Sequence, residues 1–196
     1  MRREALLLLS AVLGYLIGAF PTGVVVTRLW GASDVGRSGS GHTGATNTYR
    51  QAGLVAAVLV TLVDLFKGVA AVGLGLVLTG EAWALPVAGV AAVVGHCWSV
   101  YIGFRGGMGL ATAGGVFLWL LPMGVVVFAT IWLVARALLR HSARAVIIGL
   151  VLGTPLTLLF WRPALPMMIY TLAVVAVLLV RHVPDFHREY SLKRET

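Results

Sequence analysis

Along the chain, apolar residues gather in long runs interrupted by short clusters of Gly, Pro, Ser and charged residues. They show neither the strict alternation of half-buried strands nor the one-sided stripe of a soluble helix. Such runs predict membrane-spanning helices, since roughly 20 apolar residues cover a hydrocarbon core about 30 Å thick. Between the interruptions the pattern predicts a helix over about Ala5 to Leu29, a second over about Gly53 to Leu78 and a third over about Trp83 to Ile102. The next apolar stretch, about Leu110 to Leu139, is too long for one span and contains Pro122, which removes a helix hydrogen bond and clashes with the preceding turn. It divides into a short helix before Leu121 and a longer one after Pro122. Two more helices, about Ala145 to Phe160 and Ala164 to Val180, flank Trp161-Arg162-Pro163. The predicted fold class is an all-α integral membrane bundle of about seven transmembrane helices, with residues 1–196 forming one domain.

Charge sets the parity of the spans, because cytoplasmic loops carry an excess of Lys and Arg. With the segment after the first helix inside, the division at Pro122 places Arg28, Arg37, Arg50, Arg105, Arg136, Arg140, Arg144, Arg181, Arg188, Lys193 and Arg194 inside. Only Arg2, Arg3 and Arg162 remain outside. The expectation is therefore an N-terminus outside and a C-terminal tail in the cytoplasm. The start, Met1-Arg2-Arg3 followed by Leu6 to Leu9, has the look of a signal peptide but lacks a small-x-small cleavage signal, so it is expected to stay as the first helix.

Composition narrows the function classes. Of 196 residues, 59% are hydrophobic and only 11% charged, which excludes an ordinary water-soluble domain. The formal charge of +8 does not point to nucleic acid, because the basic residues are scattered between apolar runs and form no stripe or tail. Anionic lipid or an anionic substrate is the expected partner instead. Cys97 is the only cysteine, so an intrachain disulfide and a cysteine-based zinc site are excluded.

This orientation puts three polar segments on one membrane face. The first, Ser38 to Asn47 with Arg50 following, combines glycines, small hydroxyls and a fixed cation. Glycines let successive N–H groups cup an anion while Ser40, Thr46 and Asn47 donate further hydrogen bonds and Arg50 grips a phosphate through two N–H groups. A flexible linker has a similar composition. The second, Gly103 to Thr112, leads straight into an apolar helix, so its glycines expose N–H groups at the positive end of a helix dipole; close helix packing is the alternative reading. The third, Arg181 to Arg188 just past the last helix, reads by position alone as a basic juxtamembrane anchor.

Asp64 and Lys67 lie within the second helix, three residues apart, and are expected to pair with each other. His96 and Cys97 are adjacent and so point in different directions, and no metal is expected there.

Taken jointly, the motifs carry a resemblance. They are Pro21-Thr22-Gly23, Gly39 to Asn47 with Arg50, Asp64 to Gly68, Gly95-His96, Arg105 to Thr112 and Arg181-His182, in this order along nearly the whole chain. The set resembles the bacterial acyl-phosphate-dependent glycerol-3-phosphate acyltransferases. That resemblance implies transfer of a fatty acyl group from acyl phosphate to the 1-hydroxyl of glycerol 3-phosphate, in the bacterial cytoplasmic membrane with the active face cytoplasmic. It implies no metal or nucleotide cofactor, membrane lipids as surroundings, no nucleic acid and no obligate protein partner. The implied catalytic residues are Ser40, Arg50 and His182. The implied substrate-binding residues are Gly39, Gly41, His42, Gly44, Thr46, Asn47, Arg105, Gly106, Gly107, Gly109 and Asp185.

The chain departs from the family pattern at four of these motif positions. It has His42 and Asp185 where Asn is usual, and Arg105 and Met108 where Lys is usual. A thioether supplies no charge to a phosphate, and a carboxylate near anionic substrates is repulsive unless a cation pairs with it or it takes a proton. The alternatives left open are a catalytically impaired paralogue that keeps the fold and binds lipid or phosphate ligands, and an anion transporter built from glycine-broken helices. No convincing internal repeat of the kind transporters show is visible.

Overall fold

Prolines and glycines divide the apolar runs more finely than length alone suggests. In the computed structural model, which describes residues 2–188, the helices are α1 (Arg3–Ala19), α2 (Thr22–Leu29), α3 (Ala45–Thr79), α4 (Ala84–Cys97), α5 (Leu110–Leu120), α6 (Pro122–Leu139), α7 (Ser142–Trp161) and α8 (Leu165–His182). Five segments are long and apolar enough to cross a membrane, counting α1 with α2 as one, and α4 and α5 are shorter apolar helices. Lys193 and Arg194 lie outside the described residues.

Three expectations need correction. The first predicted helix is broken at Phe20-Pro21, because Pro21 lacks an N–H and its ring crowds the preceding turn. Helix α3 begins at Ala45 rather than near Gly53, although Gly53 is non-helical (φ 85°) and kinks the rod there. Arg50 is therefore carried on helical turns, not in a loop. The third helix stops at Cys97, and a separate 3-10 turn, Val100–Ile102, follows. The division at Pro122 stands as predicted, with Pro122 opening α6.

Small residues set the tightest packing. Gly14 and Gly18 of α1 face Ala88 and Ala92 of α4 so closely that a Cβ at either glycine would overlap α4 backbone. A buried cluster that includes Val72, Val93, Val116, Tyr170, Val174 and Leu178 forms the core between α3, α4, α5 and α8, and the Phe117 and Tyr170 rings meet 5.0 Å apart. Large apolar side chains such as Leu54, Phe66, Val77 and Leu138 point outward, as lipid-facing positions do.

The two ends of the bundle differ in charge. The Arg3–Glu81 ion pair marks one end. At the other, Arg144 donates to the Phe186 carbonyl at 3.0 Å, which brings the α6–α7 turn beside the segment after α8.

Candidate active site

Residues 30–44 link α2 to α3, and one side chain shapes the link. Asn47, in the first turn of α3 and 2% exposed, donates through Nδ2 to the carbonyl oxygens of Val35 (2.8 Å), Ser38 (2.9 Å) and His42 (3.0 Å). Its Oδ1 accepts the Ser40 N–H at 3.3 Å. Gly39 is left-handed (φ 58°) and lies against this amide, where a Cβ would overlap Asn47 Oδ1. The Gly41 N–H goes to the Ser38 carbonyl (3.0 Å) and the His42 N–H to Ser40 Oγ (3.4 Å). These bonds correct the expected cradle: the N–H groups of Ser40, Gly41 and His42 and the Asn47 amide are taken up inside the loop. The Ser40 hydroxyl oxygen accepts within the loop, and the start of α3 adds further N–H groups. Gly44 is the N-cap there and no side chain caps the helix, so the first-turn N–H groups have no side-chain acceptor. Thr46 is exposed on that turn, and Arg50 follows it, 9% exposed.

The second segment folds back on the end of α4. Ser99 donates its N–H to the Arg105 carbonyl at 3.1 Å, and Gly107 donates to the His96 carbonyl at 3.0 Å. Gly106 and Gly107 press so closely on His96 and Cys97 that a Cβ on either would overlap them, which supports the close-packing reading of these two glycines. Arg181, from α8, grips the same loop from outside. Its Nε donates to the Gly107 carbonyl (2.9 Å), its Nη2 to the Gly106 carbonyl (3.0 Å), and its guanidinium lies 5.7 Å from the Trp98 ring centroid. Gly109 is the N-cap of α5, another helix that no side chain caps. Arg105 is exposed beside this loop and has no ion pair among the described residues, while Met108 is half-buried and supplies no charge.

In the third segment, His182 belongs to the last turn of α8, not to the tail beyond it, and is 2% exposed. Its Nδ1 lies 2.8 Å from the Leu178 carbonyl. A carbonyl only accepts, so Nδ1 carries the proton and Nε2 is the acceptor of the ring. Asp185, 4% exposed, lies 3.3 Å from Arg188 Nη1 and 3.6 Å from His42 Nδ1. The repulsion expected from this carboxylate is thus offset by the Arg188 guanidinium.

Three links close the segments into one site. The Thr43 N–H reaches the Gly106 carbonyl at 3.4 Å, Arg181 holds the second loop, and His42 faces Asp185. The imidazole of His42 is held below the ordinary histidine value, first by burial and then by the positive charges of Arg181, Arg188 and Arg50, with Asp185 pulling the other way. Arg181, read from the sequence only as part of the Arg181-His182 motif, and Arg188 carry no assigned site role there, since a basic residue at the end of a span reads equally well as a topology signal.

Next to the site, a cavity of about 230 Å³ runs between α5, α6, α7 and α8. Leu110, Phe117, Phe128, Trp132 and Leu178 are among its lining residues. Leu110 directly follows the Gly109 cap, and the Leu178 carbonyl is the one that fixes His182.

The chain is similar to proteins of known family. The family model for glycerol-3-phosphate acyltransferase matches residues 8–191. A glycerol-3-phosphate acyltransferase of Rubrobacter xylanophilus is 42% identical over 175 residues, covering 89% of this chain and 86% of its own length. One from Synechococcus sp. strain JA-3-3Ab is 40% identical over 184 residues, covering 92% and 88%. Among solved structures, the glycerol 3-phosphate form of PlsY (YgiH), an integral membrane glycerol 3-phosphate acyltransferase, superposes with a TM-score of 0.83 at 30% identity, covering 93% of this chain and 90% of that one. Its lysophosphatidic acid form gives 0.81 at 29% identity. With a match over most of its length, a bundle that superposes on a solved relative and polar segments that meet at one end, this multi-pass membrane protein belongs to the glycerol-3-phosphate acyltransferase family.

Proposed function

We propose that the chain transfers a fatty acyl group from acyl phosphate to the 1-hydroxyl of glycerol 3-phosphate. The new bond joins the acyl carbon to the hydroxyl oxygen, the acyl–phosphate bond breaks, and the hydroxyl proton leaves with the phosphate. The products are lysophosphatidate and inorganic phosphate. One observation carries this reading: two uncapped helix starts, at Gly44 and Gly109, sit at one end of the bundle with Arg50, Arg105 and Ser40, beside an apolar cavity. Both substrates bear phosphate, which suits the helix starts and guanidiniums. The fatty chain suits the cavity.

Phosphate is a good leaving group, so holding the two substrates together and stabilising charge supplies most of the catalysis. Ser40 and Arg50 orient phosphate. His182, locked with Nε2 as acceptor, receives a hydrogen bond from the acceptor alcohol. The glycine loop held by Arg181 takes the phosphate of glycerol 3-phosphate.

The whole chain acts as one domain of seven spans in the cytoplasmic membrane, with this end facing the cytoplasm and the N-terminus outside. The charge distribution supports that orientation, because the described basic residues cluster at the site end and leave Arg2, Arg3 and Arg162 at the other.

The test is phosphate release and lysophosphatidate formation by the purified protein in lipid vesicles, with acyl phosphate and glycerol 3-phosphate given together and separately. Release that depends on both substrates is the expected result. Release from acyl phosphate alone, unchanged by the acceptor, would make the protein a hydrolase and overturn the reading.

A further inference from the structure

Under the glycine loop lies a buried charge cluster that the reaction does not use. The Lys67 ammonium is 2.7 Å from Asp64 Oδ1, 2.8 Å from the Phe20 carbonyl oxygen and 3.3 Å from His96 Nδ1. His96 Nδ1 is also 3.7 Å from Asp64 Oδ1. Asp64, Lys67 and His96 are 2%, 5% and 7% exposed, so water does not solvate them and their partners must.

Pairing of Asp64 with Lys67 alone would offset their charge. Two further features are not needed for that. Lys67 also donates to the Phe20 carbonyl, which accepts the Thr22 N–H at 2.9 Å across the α1–α2 break, so the ammonium ties α3 to the broken first span. And His96 is held on one edge and presses with the other. An ammonium only donates, so Nδ1 facing Lys67 is an acceptor and Nε2 carries the proton. The Nε2 edge lies against Gly107, where a Cβ would overlap it, and the His96 carbonyl takes the Gly107 N–H. Gly107 and Gly106 are the residues whose carbonyls Arg181 grips from the other side. The loop is thus clamped between Arg181 above and His96 below, and His96 is anchored by Lys67 and Asp64.

We infer that Asp64, Lys67 and His96 are positioning residues that set the height of the Arg105–Gly109 loop and the start of α5 for the phosphate of the acceptor. None of the three touches substrate. The inference rests on the acyl-transfer reading.

Four variants in lipid nanodiscs test it, each with kcat, both KM values and a melting temperature. The Asp64→Asn/Lys67→Met double variant removes both charges together, so no lone ion stays buried, yet releases His96. His96→Asn keeps a polar atom near Lys67 but falls short of Gly107. Each is expected to raise the KM for glycerol 3-phosphate roughly tenfold, the scale of a binding group moved by a fraction of an ångström, while the KM for acyl phosphate changes less than about twofold. Gly107→Ala alone should raise the same KM further. Adding His96→Asn to it should recover part of that loss, because the shortened side chain makes room for the methyl group. A folded double variant with an unchanged acceptor KM, or losses in melting temperature alone, would reduce the cluster to a packing ion pair and overturn the inference. Should the parent protein show no acyl transfer, the reading of function fails separately. Glycerol 3-phosphate binding to parent and variants, followed by thermal shift, then decides the positioning role: weaker binding in the variants upholds it and equal binding overturns it.

Discussion

Burial sets the protonation of His42 more than its acidic neighbour does, and the consequence is measurable. Its folded value lies below the ordinary 6.5, so as pH falls through that value the unfolded chain takes up a proton that the folded one resists. The unfolded state then binds more protons, and stability falls with falling pH from about 6.5 down to the depressed folded value, below which the contribution is gone. The melting temperature should therefore drop between pH 7 and 5, and His42→Asn should flatten part of that drop. An identical slope in the variant would assign the effect to other groups. At the same scale, Arg50→Ala should cut activity roughly tenfold or more, the worth of a charge-assisted hydrogen bond. Arg162→Ala, exposed at the far end, should leave activity near the parent value; equal losses in the phosphate-release assay would remove Arg50 from the site. Residue types were legible in the sequence and partners were not. Asn47 looks like a donor to ligand because nothing in its neighbourhood reveals that Val35, Ser38 and His42 turn their carbonyls toward it. Asp185 looks repulsive until the fold sets the Arg188 guanidinium beside it and packs His42, from far earlier in the chain, against its other oxygen.

Helix breaks were legible where punctuation interrupted a run too long for one span, as at Pro122, and hidden where the run was of ordinary length, as at Pro21. The turns from Ala45 to Gln51 were hidden for another reason: Thr46, Asn47 and Thr48 follow directly on the glycine-rich link, and their composition reads as loop although the chain is helical there. The α1–α4 contact depends on having no side chain at Gly18, whose Cβ would overlap the Ala92 backbone. Gly18→Leu must push the helices apart, at a cost of about 1–3 kcal/mol or more for overpacking. Because Ser99 bonds the Ala19 carbonyl one residue further along, the displacement reaches the second loop. A lower melting temperature together with weaker acceptor binding is expected. A variant with parental melting behaviour would show that the contact is looser than the structure has it.

For the whole molecule, the three polar segments meet because α3 and α5 begin, and α4 and α8 end, at the same end of the bundle. That convergence was implied by the span count, whereas the links that close it were not, since each joins residues remote in sequence. The orientation is open to single-cysteine labelling in a Cys97→Ala background. Cysteines placed near Arg140 and Arg105 should react only from the cytoplasmic side, and one near Arg162 only from outside. Labelling near Arg140 from outside alone would invert the assignment.

Helix α6 adds a last consequence. Only 6% of its apolar window is buried, and it leans on α7 with lesser support from α5. Yet it supplies Phe128 and Trp132 to the cavity. The side of the cavity facing the bilayer is therefore its most weakly held side. A single-chain lipid formed at the site has a lateral seam through which to slide into the leaflet without crossing water. Hydrogen exchange in nanodiscs should be fastest in α6 among the long helices, since opening there breaks the fewest buried contacts. Cross-linking α6 to α5 across the cavity should slow product departure while leaving the first turnover intact. If multiple turnovers are unaffected by that staple, the lipid departs by another path.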